Sequence, residues 1–311
     1  MKYDVIVIGL GAMGSAALYQ LSKKNLKVLG IDRFNPPHEF GSSHGETRLS
    51  RQAIGEGAVY TPLVLRANQI WRQLEEESGN KLLHRCGGLI YGDPSSRELT
   101  HNTEQFLQQT ICAAQEFNIE HELLEHSALK KRFPQFKFKK SHQGYFEPGA
   151  GYLLPELCIK TQLHLARGNG AQLVLEREVL AIEEGQAEIQ VKTHEKVYSA
   201  TKIIICAGSW MPQFLPAKYS NLLKVYRQRL CWFRPIKTSA LKRENPVFVK
   251  LGSSTEPLVY GFPEIVAGQG IKVASEQFDE TTNPDEFDKN LSSQEIAWLH
   301  GIAQHALDLD N

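Results

Sequence analysis

Apolar residues open this chain in an order that spells strand, helix, strand. Val5-Ile6-Val7-Ile8 is an unbroken apolar run, the pattern of a strand buried on both faces. It leads into Gly9-Leu10-Gly11-Ala12-Met13-Gly14 and a segment of helical spacing, and Lys27-Val28-Leu29-Gly30-Ile31 then forms a second apolar run that stops at Asp32. Leu63, Ala67, Ile70, Trp71 and Leu74 predict a helix that Pro62 starts, Thr61 caps and Gly79 ends. Gly87 to Gly92 reads as a strand, 97–117 and 126–132 as helices, and Tyr145 to Gly151 as a turn-rich approach to a helix over Pro155–Arg167. Gln172 to Leu175 and Ile203 to Ile205 read as strands, with a meander over 186–198 between them. Residues 257–262 and 270–274 predict a hairpin. A turn centred on Val266 sets Tyr260 directly opposite Lys272, with both side chains on one face. Ser292-Ser293-Gln294-Glu295 is a capping-box sequence, and Ile296, Leu299, Ile302 and Ala306 mark the apolar stripe of a last helix.

The glycines of the opening unit carry a physical meaning. Gly9 allows a tight turn, Gly11 lets the backbone approach a pyrophosphate, and Gly14 lets the helix pack close to the sheet. The helix N-terminus offers free N–H groups and the positive end of its dipole to phosphates. Asp32 stands where the motif needs an acceptor for a ribose diol. The unit therefore predicts dinucleotide binding and leaves NAD and FAD open.

The chain of 311 residues is long enough for one large or two ordinary domains. Thirty-five lysines and arginines balance 35 aspartates and glutamates, which gives no case for a nucleic-acid partner. No apolar run is long enough to cross a bilayer, and the first apolar segment reads as a strand rather than a leader. The cysteines, Cys86, Cys112, Cys158, Cys206 and Cys231, are odd in number and form no CxxC pair. They predict reduced thiols in a cytoplasmic protein without a metal site.

Residues 41–57 read GSSHGETRLSRQAIGEG and crowd His44, Thr47, Arg48 and Arg51 together. If Thr47 to Gln52 is helical, Arg48 and Arg51 share a face. Two neighbouring guanidiniums call for an anion such as a substrate carboxylate, or flavin or phosphate oxygens. A solvated basic turn with a surface histidine is the alternative.

The opening fingerprint, Pro36-Pro37-His38 and the run Gly41 to Arg51 together resemble the monomeric sarcosine oxidase and N-methyltryptophan oxidase family. Gly55-Glu56-Gly57, Phe146-Glu147-Pro148-Gly149-Ala150-Gly151, Ala207-Gly208-Ser209-Trp210, Tyr226-Arg227-Gln228 and Tyr260-Gly261-Phe262-Pro263 agree with it in the same order. The resemblance implies an α/β fold, a Rossmann-like FAD-binding domain joined to a substrate domain of mainly antiparallel sheet plus helices. It assigns 1–85 and 145–215 to the first domain and 86–144 and 216–311 to the second. It implies a monomer that uses FAD and molecular oxygen to oxidise an N-methyl or cyclic secondary amino acid to an imine, with hydrogen peroxide as by-product.

Roles follow by position in the resemblance. Arg51 matches the arginine that binds the substrate carboxylate, Arg48 one beside the flavin ring, and His44 and Thr47 residues lining that pocket. Tyr260 matches an active-site tyrosine and Lys272 the lysine at which oxygen is reduced. FAD contacts fall on Gly9, Gly11, Ala12, Met13, Gly14, Asp32, Arg33, Ser42, Ser43, Val179, Ala207 and Gly208. Two departures stand out. Ala274-Ser275-Glu276 occupies the place of a family histidine, and no cysteine here matches the one that holds the flavin covalently. The family's chains run on past the position of Asn311. The expectation is therefore an FAD sheet short of its closing element, with exposed apolar surface, and the alternative to an oxidase is a truncated, non-catalytic FAD-binding remnant of one.

Overall fold

The computed structural model describes residues 2–95, 105–236, 242–253, 256–286 and 288–309. The opening unit is β1 (Lys2–Ile8), α1 (Ala12–Ser22) and β2 (Val28–Ile31). Next come β3 (Arg48–Ser50), α2 (Thr61–Ser78), β4 (Leu83–His84) and β5 (Gly88–Gly92). The middle of the chain holds α3 (Phe106–Glu116), β6 (Glu122–Leu124), α4 (His126–Arg132), β7 (Gln143–Glu147), β8 (Gly151–Leu153) and α5 (Pro155–Gly168). It continues through β9 (Gln172–Val174), β10 (Val179–Glu184), β11 (Ile189–Thr193) and β12 (Val197–Ile205). The last part is α6 (Ala217–Ser220), β13 (Cys231–Phe233), β14 (Val247–Lys250), β15 (Val259–Phe262), β16 (Ile271–Ala274) and α7 (Ser293–Ala303).

A six-stranded sheet runs β10-β11-β12-β1-β2-β9. Its β12-β1-β2-β9 core is parallel, while β10 and β11 add antiparallel strands at the β12 side. β1 is central, so Val5 to Ile8 are buried on both faces, as the unbroken apolar run requires. One face packs Val5, Val7 and Val28 against Leu18 of α1 and Ile159 and Leu163 of α5. The other gathers Tyr3, Ile6, Ile8, Leu29 and Ile31 with Val191 and Ala200. Each such aliphatic side chain, fully buried, contributes roughly 1.5–3 kcal/mol.

A seven-stranded sheet runs β13-β16-β15-β14-β5-β7-β6 and is antiparallel except where β14 lies beside β5. A third sheet, β3-β8-β4, is small. The mixed α/β architecture of a parallel nucleotide-binding-type sheet and a mainly antiparallel one is the expected fold class.

Local expectations differ in three places. Thr61 does not cap α2. A 3-10 turn over Ala58–Tyr60 runs directly into the helix, so Thr61 is already helical, and its buried hydroxyl has no partner. Gly79 does end α2, in the left-handed conformation at φ 71°. Tyr145 to Gly151 is more regular than a turn-rich approach, because β7 and β8 claim most of it. The expected onset of a helix near 97 falls on residues 96–104, outside the described residues, and α3 begins at Phe106. In α7 the capping box of Ser292 and Glu295 is formed, and Leu299 and Ile302 are buried, but Ile296 is 47% exposed. Ala306 is buried beyond the helix end. Met13, Leu222 and Phe278 are large apolar side chains standing in solvent. None of the described helices is long and apolar enough to cross a membrane.

Candidate active site

The carboxyl ends of β1, β2 and β12 open on a cavity of about 600 Å³. Gly9, Gly11, Ala12, Met13, Asp32, Arg33, Ser42, Ser43, Val179, Ala207 and Gly208 all line it. Gly14 does not; it sits behind the turn, where a Cβ would overlap the Gly9 carbonyl oxygen. Gly9 has φ 84°, and a Cβ on it would overlap the Cys206 carbonyl oxygen. The two glycines thus seat α1 against the β1 turn. Gly11, by contrast, faces the cavity, and only the Ser43 hydroxyl lies within 3.5 Å of the Cβ it lacks.

Asp32 is buried, and its carboxylate accepts N–H bonds from Leu10 (2.6 Å) and Phe34 (2.7 Å). Burial raises its pKa while those amides and nearby His38 oppose the rise. The carboxylate therefore both ties β2 to the glycine turn and lines the cavity. Ser43 Oγ accepts the Ala12 amide at 3.2 Å, linking the loop after Pro37 to the first turn of α1. Arg33 is engaged by Asp285 at 2.7 Å. A helix N-terminus whose Gly11 cap contributes no side chain, facing an apolar-walled cavity with a buried carboxylate on its rim, fits a dinucleotide. Sequence reasoning did not name the walls: Phe34, which stacks on Phe40 with centroids 4.5 Å apart and lies 5.5 Å from Trp210, and the Arg177–Glu178 pair. They sit in loops with no periodicity to reveal them.

A second cavity, of about 560 Å³, shares Pro37 and His38 with the first and is lined by His44, Gly45, Glu46, Glu156, Arg229 and Trp232, among others. His44 has its pKa lowered, first by burial and then by Arg48. Beside it, Lys272 is 3% exposed, and its ammonium donates to the carbonyls of Gly45 (2.6 Å) and Thr47 (2.9 Å). Lys272 Nζ also lies 4.4 Å from the centroid of the Phe262 ring. Burial pulls its pKa down to about 7, with the Arg48 charge adding to the fall and Glu46 and Glu156 opposing it. Arg48 donates to Thr47 O at 2.8 Å and to Ser42 O. Thr47 is buried, and its hydroxyl has no partner. Tyr260 is half-buried, its phenol pKa raised by burial with the Arg48 charge pulling the other way.

Two expectations about this cluster need correction. Tyr260 is not opposite Lys272; it pairs with Ala274, and Lys272 pairs with Phe262. The Glu264 carboxylate accepts the Gly268 and Gly270 amides, which moves the centre of the turn from Val266 to Ala267. The shift is one pair, so Tyr260, Phe262 and Lys272 still share a face. Nor is Thr47 to Gln52 helical. Arg48–Ser50 is strand β3, paired with β8, so Arg48 and Arg51 diverge instead of sharing a face. Arg51 forms an ion pair with Glu56, its guanidinium lies 5.1 Å from the Phe106 ring centroid, and its buried Nη1 has no partner.

Glu147 was quoted in a motif but given no role, and it is 1% exposed. A lone acid ending the apolar run Tyr145-Phe146 just before Pro148-Gly149 was the signal for it. The five cysteines are free thiols, and Cys206, which lines the first cavity, has its pKa raised by burial.

A family model described as FAD dependent oxidoreductase matches residues 4–307. N-methyl-L-tryptophan oxidase of Yersinia pestis (strain Pestoides F) is 41% identical over 264 residues, which is 85% of this chain and 68% of that protein. The corresponding protein of Yersinia pseudotuberculosis serotype O:1b matches equally. Among solved structures, NikD, an unusual amino acid oxidase essential for nikkomycin biosynthesis, superposes with a TM-score of 0.78 at 20% identity, covering 98% of this chain and 78% of that one. Glycine oxidase from Geobacillus kaustophilus gives 0.70 at 16% identity, covering 98% and 78%. A dinucleotide cradle on a parallel sheet, matched along nearly the whole length by one family model and by relatives of high identity, settles the kinship: the chain belongs to the FAD-dependent oxidoreductase family of amino-acid oxidases.

Proposed function

We propose that this protein oxidises an N-methyl or cyclic secondary amino acid to its imine, with molecular oxygen taking the electrons and leaving as hydrogen peroxide. The observation that carries the reading is the adjacency of two cavities that share Pro37 and His38: the dinucleotide cradle, and a chamber lined by His44 and by Gly45, whose carbonyl accepts from the Lys272 ammonium. FAD, when bound, supplies the two-electron acceptor. Gly9, Gly11, Ala12, Met13, Asp32, Arg33, Ser42, Ser43, Val179, Ala207 and Gly208 hold it by non-covalent contacts, with Gly14 keeping the helix in place behind them.

Arg51 receives the substrate carboxylate. Its unpartnered, buried Nη1 supports this role, since a guanidinium already paired on one side keeps a donor for a second oxygen. His44 lines the chamber; Arg48, Thr47 and Tyr260 do not border it and take their substrate-pocket roles from the family resemblance alone. In its protonated form, which burial confines to pH values below about 7, Lys272 supplies a positive charge where oxygen gains electrons. The two carbonyls that clasp its ammonium fix that charge in place.

The test is an anaerobic titration of purified protein. Sarcosine or N-methyltryptophan should bleach the visible flavin band, and air should restore it with one peroxide formed per amine consumed. A flavin band that neither substrate bleaches would sink the oxidase reading and leave a non-catalytic FAD-binding protein. Arg51→Ala should raise KM about a hundredfold.

A further inference from the structure

The ladder between β3 and β8 stops at the pair Ser50 and Gly151. Arg51, Gln52 and Ala53 then leave the sheet, and the acceptor for the next two backbone amides is a side chain. Glu147, at the end of β7, accepts Gln52 N–H at 2.8 Å and Ala53 N–H at 3.2 Å. Its third donor is the phenol of Tyr145 at 2.9 Å, two residues back on the same face of the strand. The Gln52 side chain lies where a Cβ on Gly149 would stand, so residues 52–53 are held from two sides.

A buried carboxylate is costly unless every oxygen is satisfied, and a hydrophobic residue would fill the same space more cheaply. What a carboxylate offers here is two acceptor oxygens at a fixed separation beside the arginine. Arg51, Tyr145 and Glu147 line one small pocket in the interior together with Leu49 and Ile90. Burial raises the Glu147 pKa, while the two amides and the phenol oppose that rise.

We infer that Glu147 is a positioning residue for Arg51: braced by Tyr145, its carboxylate holds the Gln52 and Ala53 amides and so sets the direction from which the Arg51 guanidinium meets a carboxylate ligand. The inference rests on the reading of Arg51 as the carboxylate-binding group. It makes Glu147 a determinant of acid recognition that itself touches no ligand.

The experiment measures binding of indole-3-acetate and of its uncharged counterpart indole-3-acetamide by equilibrium dialysis to the FAD-loaded protein. Variants are Glu147→Gln, Tyr145→Phe and Arg51→Lys, with flavin content and Tm recorded for each. The parent should prefer the acid. Glu147→Gln, which turns an amide N–H against a backbone N–H, should weaken acid binding about tenfold and leave acetamide binding unchanged. Tyr145→Phe should move the acid in the same direction by about twofold to threefold, and it carries the test if Glu147→Gln does not fold. Equal loss of both ligands, or acid binding at the parent level in both Glu147→Gln and Tyr145→Phe while Arg51→Lys loses it, overturns the role of Glu147. A parent that does not distinguish the two ligands, or an Arg51→Lys variant that binds the acid undiminished, overturns the reading of Arg51 itself and the inference with it.

Discussion

The dinucleotide cradle and the cation cluster lie side by side but are made of different material. The cradle is mostly backbone: a glycine turn, a helix N-terminus and strand ends, all set by residues 9–32 plus the end of β12. The cluster is side chains delivered from three separate places, β3, the β15–β16 hairpin and the end of β7. At Gly9 and Gly14 the cradle tolerates no added atoms, and it carries little electrostatic strain. The cluster buries a lysine next to an arginine, with backbone carbonyls and the Phe262 ring rather than a carboxylate as the lysine's close partners, so its chemistry works against its stability.

The sharpest way to break this contrast is at Gly14. A methyl group there overlaps the Gly9 carbonyl, which is backbone and cannot rotate aside. Gly14→Ala should destabilise the protein by about 3 kcal/mol or more and strip it of flavin, measured by urea unfolding and the visible absorbance of the purified protein. A variant that folds and holds flavin normally would show that the cradle has slack.

The cluster should respond in the opposite sense. Lys272→Met removes a buried charge and should stabilise the fold by on the order of 2 kcal/mol at neutral pH, while slowing reoxidation of reduced flavin. The pH dependence fixes the sign. In the unfolded chain a lysine keeps its proton up to its ordinary value of 10.5, and in the fold only up to about pH 7. Between these values the unfolded state binds more protons, so parent stability should rise as pH climbs from 7 to 10.5, and the penalty is full below 7. Lys272→Met should flatten that rise in denaturation curves taken across the range.

What could be read from the chain divides along the same line. The glycine turn, Asp32 and the flanking strands were legible because local pattern determines them. Arg48 and Arg51 were misjudged as helical neighbours because residues 47–52 have no strong preference of their own, and pairing with β8, a hundred residues away, decides the matter. Tyr260 and Lys272 were placed on the correct face but one pair out of register, since the turn centre depends on a carboxylate-to-amide bond that spacing does not encode. Glu147 was visible only as an anomaly, an acid at the end of an apolar strand, and the two amides it accepts lie about 95 positions away in sequence.

The smallest expected effect tests the seam between the two regions. Ser43→Ala removes the acceptor for the Ala12 amide. It should cost about 0.5–1 kcal/mol in stability and loosen flavin only slightly. A larger loss of flavin, read by fluorescence on release, would mean that the 41–48 loop holds the cofactor as firmly as the glycine turn does.

The central place of β1 also has a consequence for synthesis. Val5 aligns with Lys202 on β12, so the strand translated first waits for a neighbour translated almost two hundred residues later. At 5–20 residues per second that wait is roughly ten to forty seconds, during which Val5 to Ile8 present one open edge. The nascent chain must be shielded through that interval, by its own α1 and β2 or by a chaperone. Expression yield should therefore depend on elongation speed and temperature more steeply than the finished protein's stability does.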